Sequence, residues 1–191
     1  MVAARKIRIK PEPAPPLKLD LGCGTQKREG FTGVDAIAFD GVDVVADLNG
    51  AWPWADNSVE EVNCSHTLEH FDGTERVHFV NELYRVLVPG GRATITTPHW
   101  ASNRAYGDPT HKWPPVAEMW FYYLNRDWRH TQAPHTDAGN WPGGFKCDFD
   151  ATWGYGMHTG LQLRNPEYQQ HALAFFKEAA QDMIATLVKK A

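Results

Sequence analysis

The sequence has too few cysteines, too little charge of one sign and too short apolar runs for several whole classes of protein. Cysteine occurs three times, at Cys23, Cys64 and Cys147. An odd, widely spaced set is no disulfide framework, so these read as reduced thiols of a cytoplasmic protein. No apolar run approaches the roughly 18 residues that would suggest a transmembrane helix, and no membrane association is expected. The opening MVAARKIRIKPEPAPP lacks the apolar stretch of a signal peptide. Lys plus Arg number 19 against 23 Asp plus Glu, a net charge of −4. That balance excludes coating nucleic acid by charge alone and disfavours a long nucleic-acid footprint. No internal repeat is present. What remains is ordinary globular composition, 42% hydrophobic and 22% charged over 191 residues. Such a chain buries a core without cross-links.

Two residue types are in excess: eight Trp and nine His, most of them after residue 98. Residues 1–16 read as a basic, proline-rich tail, either an unpacked arm or one that touches a polyanion. Residues 17–191 read as one domain, with 99–144 a Trp- and His-rich lid or substrate insertion.

Short apolar runs end in glycine or a carboxylate. Leu17–Leu21 reads as a strand followed by Gly22-Cys23-Gly24, Phe31–Val34 as a strand ending at Asp35, and Val42–Ala46 as one ending at Asp47. Val59–Ser65 and Ala93–Thr97 read as two more. Thr74–Val88 repeats apolar residues at three and four steps, with Asp72 and Glu75 as a capping box and Pro89-Gly90-Gly91 as a stop. Val116–Leu124 reads as a short helix. The spacing predicts an antiparallel pair over 145–153 and 157–163, turning through Gly154 and Gly156. It also predicts a long final helix over 168–189 with Ala172, Phe175, Phe176, Ala179, Met183, Leu187 and Val188 on one face. The fold class expected is α/β, Rossmann-like: a mostly parallel sheet with a C-terminal antiparallel hairpin and the Trp/His-rich insertion after the fifth strand.

In such sheets ligands bind beyond the carboxyl ends of the strands. Here those ends carry Gly22–Gly24, Asp35, Asp47, Ser65–His66 and Pro98–His99. Glycines after a strand let backbone approach a ligand, and a carboxylate on the next strand suits the two hydroxyls of a ribose. Two departures from nucleotide-binding patterns stand out. Position 26, where a third glycine would fall, is Gln, and only nine residues (22–30) join the first strand to the second, so the first helix is one turn or absent. A dinucleotide oxidoreductase is disfavoured because Lys27 replaces its glycine and Asp35 arrives too early.

The segments LDLGCGT (19–25), FTGVD (31–35), VDVVADLN (42–49), HTLEHF (66–71), ELYRVLVPGGRATITTP (82–98) and DPTHKW (108–113) together resemble a class I S-adenosylmethionine-dependent methyltransferase of the compact LDLGCG type. The resemblance implies S-adenosyl-L-methionine as cofactor. It implies that Asp20, Gly22, Cys23 and Gly24 hold the methionine portion and Asp35 the ribose. Asp47 and Leu48 would contact the adenine, and Ser65 and His66 would face the methionine or sulfonium side. The acceptor would be a small molecule, sugar or nucleotide. A base, if the acceptor needs one, would be His99, His111 or Asp108, in that order. Sequence alone leaves the oligomeric state open.

Two other classes remain open at this point. One is a cofactor-fold protein that binds a partner without catalysis. The other is a zinc hydrolase, because His66-Thr67-Leu68-Glu69-His70 matches H-x-x-E-H, which holds zinc when it lies on a helix. The strand before it and Phe71-Asp72-Gly73 after it leave room for one turn only, so no metal is expected there. Most aromatics of 99–158 are expected to form a satellite core. The others could close the site as a dry lid.

Overall fold

In a computed structural model of the chain, residues 17–136, 138 and 143–191 are described. The expected tail at 1–16 lies outside them, as do Asp137 and Trp141 of the insertion.

Seven strands form one sheet in the order β3-β2-β1-β4-β5-β7-β6. β1 (Leu17–Leu21), β2 (Thr32–Asp35), β3 (Val44–Val45), β4 (Val59–Ser65) and β5 (Leu87–Pro98) pair in parallel. β6 (Phe149–Met157) and β7 (Ala180–Lys189) run antiparallel to their neighbours. This is the α/β, Rossmann-like, mostly parallel sheet that the sequence predicts, and it brings the carboxyl ends of β1, β2, β4 and β5 to one edge. No helix joins β1 to β2. The central strands bury Leu19, Leu21, Val62, Cys64 and Ile95 completely or nearly so, as strands covered on both faces should.

α1 (Gly73–Val86) begins at the expected capping box. The Asp72 side chain accepts from the Thr74 and Glu75 amides, and Glu75 accepts from the Asp72 amide. Val77, Phe79, Val80, Leu83 and Val86 form its buried face. Each such side chain contributes about 1.5–3 kcal/mol of burial. The helix stops before Pro89-Gly90-Gly91. Those residues lie inside β5, where the register with β4 jumps from Val59↔Leu87 to Glu61↔Arg92. The left-handed φ of Gly90, +77°, accommodates the extra residues there.

The C-terminal expectations need correction. Residues 149–157 are one continuous strand, and the glycines Gly154 and Gly156 do not turn it. They lie opposite Ile184 and Asp182 of β7, while Phe149, Ala151, Trp153 and Tyr155 alternate onto the core. Residues 159–162 form the helical turn α5 (Thr159–Gln162), not a strand. The long final helix is two elements, α6 (Pro166–Phe175) and then β7. Met183, Ala185 and Leu187 are buried while Ile184 and Val188 are exposed, a period of two. The β-branched Ile184, Thr186 and Val188 suit a strand better than a helix. Lys189, expected at a helix end, instead donates to Asn57 Oδ1 at 2.7 Å and to the Leu87 carbonyl at 2.8 Å.

Among the described residues between β5 and β6 lie three short helices, α2 (Arg104–Gly107), α3 (Glu118–Tyr122) and α4 (Arg126–Gln132). Phe121 and Leu124 are fully buried with Phe149 in the main core, and Phe121 stacks on Trp153. Tyr122 stacks on Trp128. The expected satellite core is thus corrected: the buried aromatics of this segment join the main core, with Trp120, Phe145, Trp153 and Tyr155 packed against it. Trp113 and Trp100 remain exposed.

Candidate active site

Three cavities open at the carboxyl edge of the parallel strands, and His66 lines all of them. The turn after β4 explains its place. His66 takes a left-handed φ of 53°, uncommon outside glycine, and its amide donates to the Thr96 carbonyl at 2.8 Å. Thr67 then folds back on the first glycine turn, its hydroxyl 3.3 Å from the Leu21 carbonyl. Gly22, at φ +68°, makes this approach possible. A Cβ there would meet Thr67 Oγ1 at 2.0 Å.

The first cavity, about 490 Å³, is lined by Asp20, Gly22, Cys23, Ser65 and His66 together with Gln26, Arg28 and Asn63. Asp20 is almost wholly buried. The Arg28 amide donates to its Oδ2 at 2.7 Å and Asn63 Nδ2 to its Oδ1 at 2.6 Å. Asn63 reaches it because it stands opposite Asp20 in the β1–β4 register. Asp20 thus pins the loop that replaces the missing helix. The second cavity, about 450 Å³, shares Gly22 and His66 with the first and adds Asp35, Ile37, Asp47, Leu48 and Phe71. The Gly24 amide donates to Asp35 Oδ2 at 2.9 Å and the Ile37 amide to Oδ1 at 3.0 Å. Asp47 Oδ1 accepts from the Asn49 amide at 2.9 Å. Backbone donors therefore aim both carboxylates, and each oxygen keeps lone-pair capacity for a ligand. Ile37 stands 59% exposed in this wall, an apolar surface of the kind a flat ring covers.

The third cavity, about 590 Å³, lies across His66 and His70 from the second. Glu69, Arg104, Asp108 and His111 complete its walls. Its two loops are held together from α1. Arg76, fully buried, donates Nε–H to the Leu68 carbonyl at 3.1 Å, and its Nη atoms reach the carbonyls of Pro114 and Lys112. The Lys112 amide donates to the Glu69 carbonyl at 2.9 Å. Burial pulls the Arg76 guanidinium down to about 10, still charged at neutral pH.

All nine residues expected at the cofactor converge here: eight line the first two cavities, and Gly24 takes part through its bond to Asp35. Two of the three candidate bases reach the third cavity, His111 and Asp108. His99 does not. It is 2% exposed, its Nδ1 accepts from the Ala101 amide at 3.2 Å and its Nε2–H donates to Glu118 Oε1 at 2.9 Å. Both ring nitrogens are committed. Burial raises the Glu118 carboxyl, but His99 and Tyr155 outweigh it and hold the group at about 2. Gln26, Arg28, Asn63 and Arg76 escaped sequence reasoning. Asn63 meets Asp20 through strand register, Arg28 meets Asn63 across the cavity and Arg76 meets backbone carbonyls, and none of these pairings carries a motif.

The HTLEH segment is not a helix bearing two histidines on one face. His66 precedes the turn in a left-handed conformation, and only Leu68–His70 are helical, as a single 3₁₀ turn. Burial also pushes up the thiols of Cys23, Cys64 and Cys147, which are all free and buried. Among the described residues no helix is long and apolar enough to cross a membrane.

Residues 19–95, which hold the glycine turn, Asp35, Asp47, His66 and α1, match a family described as a methyltransferase domain. This segment is therefore similar to a methyltransferase domain. S-adenosylmethionine is the cofactor that goes with that recognition. Solved structures agree on the fold. A SAM-dependent methyltransferase from Archaeoglobus fulgidus superposes with a TM-score of 0.63 at 20% identity, covering 90% of this chain and 85% of that one. Another from Methanosarcina mazei gives 0.54 at 15% identity, with coverages of 91% and 92%. A complex of a Haloferax volcanii methyltransferase activator with a putative methyltransferase gives 0.54 at 13%, with coverages of 95% and 85%. A search of the curated proteins gives no match.

Proposed function

We propose that the chain is an S-adenosylmethionine-dependent methyltransferase for a small acceptor bound in the third cavity. The observation that carries this reading is the shared wall. One cleft runs through Gly22 and His66 across the ends of β1, β2 and β4, and a separate cavity abuts it at His66 and His70. Such an arrangement suits a cofactor lying along the strand ends with its reactive centre towards a second ligand.

The residues fit that cofactor. Gly22 leaves room for close backbone approach. Asp35, held by the Gly24 and Ile37 amides, receives the ribose hydroxyls. Asp47 and Leu48 meet the adenine, and Ile37 covers one of its faces. Asp20 acts through the loop it pins, while Arg28 and Gln26 face the amino-acid portion beside Cys23 and Ser65. When bound, the cofactor supplies an electrophilic methyl group on a sulfonium. The protein's task is alignment, which lowers such barriers by about 7–11 kcal/mol. His111 and Asp108 orient the acceptor, and His99 positions the end of β5 through Glu118. The buried thiols favour a cytoplasmic setting.

Calorimetric titration with S-adenosylmethionine and S-adenosylhomocysteine tests the reading. Micromolar binding of both, weakened in Asp35→Ala, supports it; no binding of either overturns it.

A further inference from the structure

On the walls of the third cavity, Glu69, His70 and His111 each bring one ligand atom within 4.8 Å of the others. We propose that they bind a divalent transition-metal cation which seats the oxygen atoms of the methyl acceptor. The binding site stands on its own geometry; its role toward an acceptor rests on the methyltransferase reading above.

The tautomers support the site. Thr110 donates its hydroxyl proton to Asp108 Oδ1 at 2.6 Å, so the same oxygen accepts from His70 Nδ1–H at 3.1 Å. His111 Nδ1 lies 3.4 Å from the Ala105 carbonyl, which can only accept. Both rings therefore carry their proton on Nδ1 and leave Nε2 to coordinate, the state a metal takes from histidine, with Asp108 Oδ2 3.8 Å from that of His111. Partners on the other ring nitrogen are what fix metal-binding imidazoles in place. The rings pack edge to face, with centroids 4.9 Å apart.

Glu69 supplies the charge. It is 5% exposed, yet its protein partners are two weak contacts: His66 Nδ1 at 3.2 Å and the Thr97 hydroxyl at 3.3 Å. A buried carboxylate invites a cation, and here the Arg76 guanidinium and His66 meet only part of that demand. The Lys112–Glu69 backbone bond and the Arg76 clamp join the two loops that carry the three ligands, so the set is built before any metal arrives. Two imidazoles and one carboxylate suit Zn²⁺, Fe²⁺ or Co²⁺ better than Mg²⁺ or Ca²⁺. Three protein ligands on an open cavity leave coordination positions free. An acceptor with a hydroxyl, or two neighbouring oxygens, would fill them beside the cofactor cleft. The site differs from a helical H-x-x-E-H centre because the second imidazole is His111, about forty residues beyond His70 in a separate loop, and not His66.

The test uses chelator-treated full-length protein titrated with Zn²⁺ by calorimetry, with the visible absorption of added Co²⁺ as a second readout. The expected result is one high-affinity cation per chain. His111→Ala should weaken it tenfold or more and abolish the Co²⁺ bands. Thr110→Val, which frees His70 to rotate but spares the ligands, should weaken it by about tenfold, the lower range for removing such a partner. His171→Ala, on α6, should leave it unchanged. Equal Zn²⁺ affinity in wild type and His111→Ala, or a Co²⁺ spectrum without ligand-field bands in wild type, would overturn the site. S-adenosylhomocysteine titrated into the same preparations separates the two ideas. Its binding without metal binding removes this inference alone, and retained binding in His111→Ala shows that the variant is folded.

Discussion

The two sides of His66 are built from different materials. On the side proposed for the cofactor the cavity-facing groups are glycine backbone and carboxylates oriented by backbone amides, Ile37 and Asn49 two residues on and Gly24 eleven residues back. On the side proposed for the acceptor they are imidazoles and a buried carboxylate, oriented by the Thr110 hydroxyl forty residues from His70, by the nearby Ala105 carbonyl at His111, and by Arg76 of α1, which ties the loops together. The first kind of site is held mainly by backbone amides and by neighbours in the sheet register. The second depends on tertiary clamps and fails when one is removed.

The largest expected effect breaks the second side. Arg76→Ala strips the donors from carbonyls of Leu68, Lys112 and Pro114 and leaves a cavity under both loops. It should cost about 3 kcal/mol or more of stability, read from urea unfolding. A loss below 1 kcal/mol would show that the clamp is dispensable. Gly22→Ala strikes the point the two sides share. It forces a left-handed alanine, at about 1–2 kcal/mol, and a Cβ into Thr67. Binding of S-adenosylhomocysteine should fall by a factor of ten or more, and an unaltered affinity would contradict the close approach described for Thr67. Asp35→Ala should weaken the cofactor by about 1.5–3 kcal/mol with little change in unfolding midpoint, because only the cofactor side is touched.

A subtler contrast uses His99 and Glu118. The folded Glu118 carboxyl is held at about 2, below its ordinary 4.5. Its stabilising contribution is complete above the unfolded value and disappears as pH falls from about 4.5 towards 2. Glu118→Gln should therefore show a shallower loss of stability across that window than wild type; parallel acid-unfolding curves would refute the pairing. The smallest effect expected is that of Trp128→Ala, which disturbs the stacking on Tyr122 away from the cofactor cleft. Cofactor affinity there should stay within about twofold of wild type.

The legible parts of the sequence were those whose cause is local. A glycine pair after an apolar run, a carboxylate at a strand end and a capping box three residues wide all act within a few positions, and each expected element from β1 to α1 appears. Residues 180–189 were illegible for a definite reason. Ala179, Met183 and Leu187 recur every four residues, and Met183, Ala185 and Leu187 every two, so one apolar set satisfies both periods. The glycines of Trp153-Gly154-Tyr155-Gly156 resembled a turn because glycine usually signals one, whereas here they are merely the outward positions of a strand. Arg76 was invisible because arginine paired with backbone carbonyls leaves no pattern, and Arg28 because its partner Asn63 lies 35 residues on in another strand. His99 outranked His111 in the sequence because it follows a strand directly, but that position placed it in the packed interior instead of on the cavity wall.

The place of β7 has a consequence for assembly. It is the last of the seven strands to be synthesised, yet it occupies an interior position, hydrogen-bonded to β5 on one side and β6 on the other. Until it arrives, β5 has an open edge and β6 has no partner in the sheet. Both offer unpaired backbone and apolar residues such as Ile95 and Phe149 to any neighbouring chain. A nascent chain is therefore most exposed to aggregation when all the sequence of its cofactor cleft has already emerged. The interior of the sheet is thus completed by the last-made of its strands, one that lies away from the cofactor cleft.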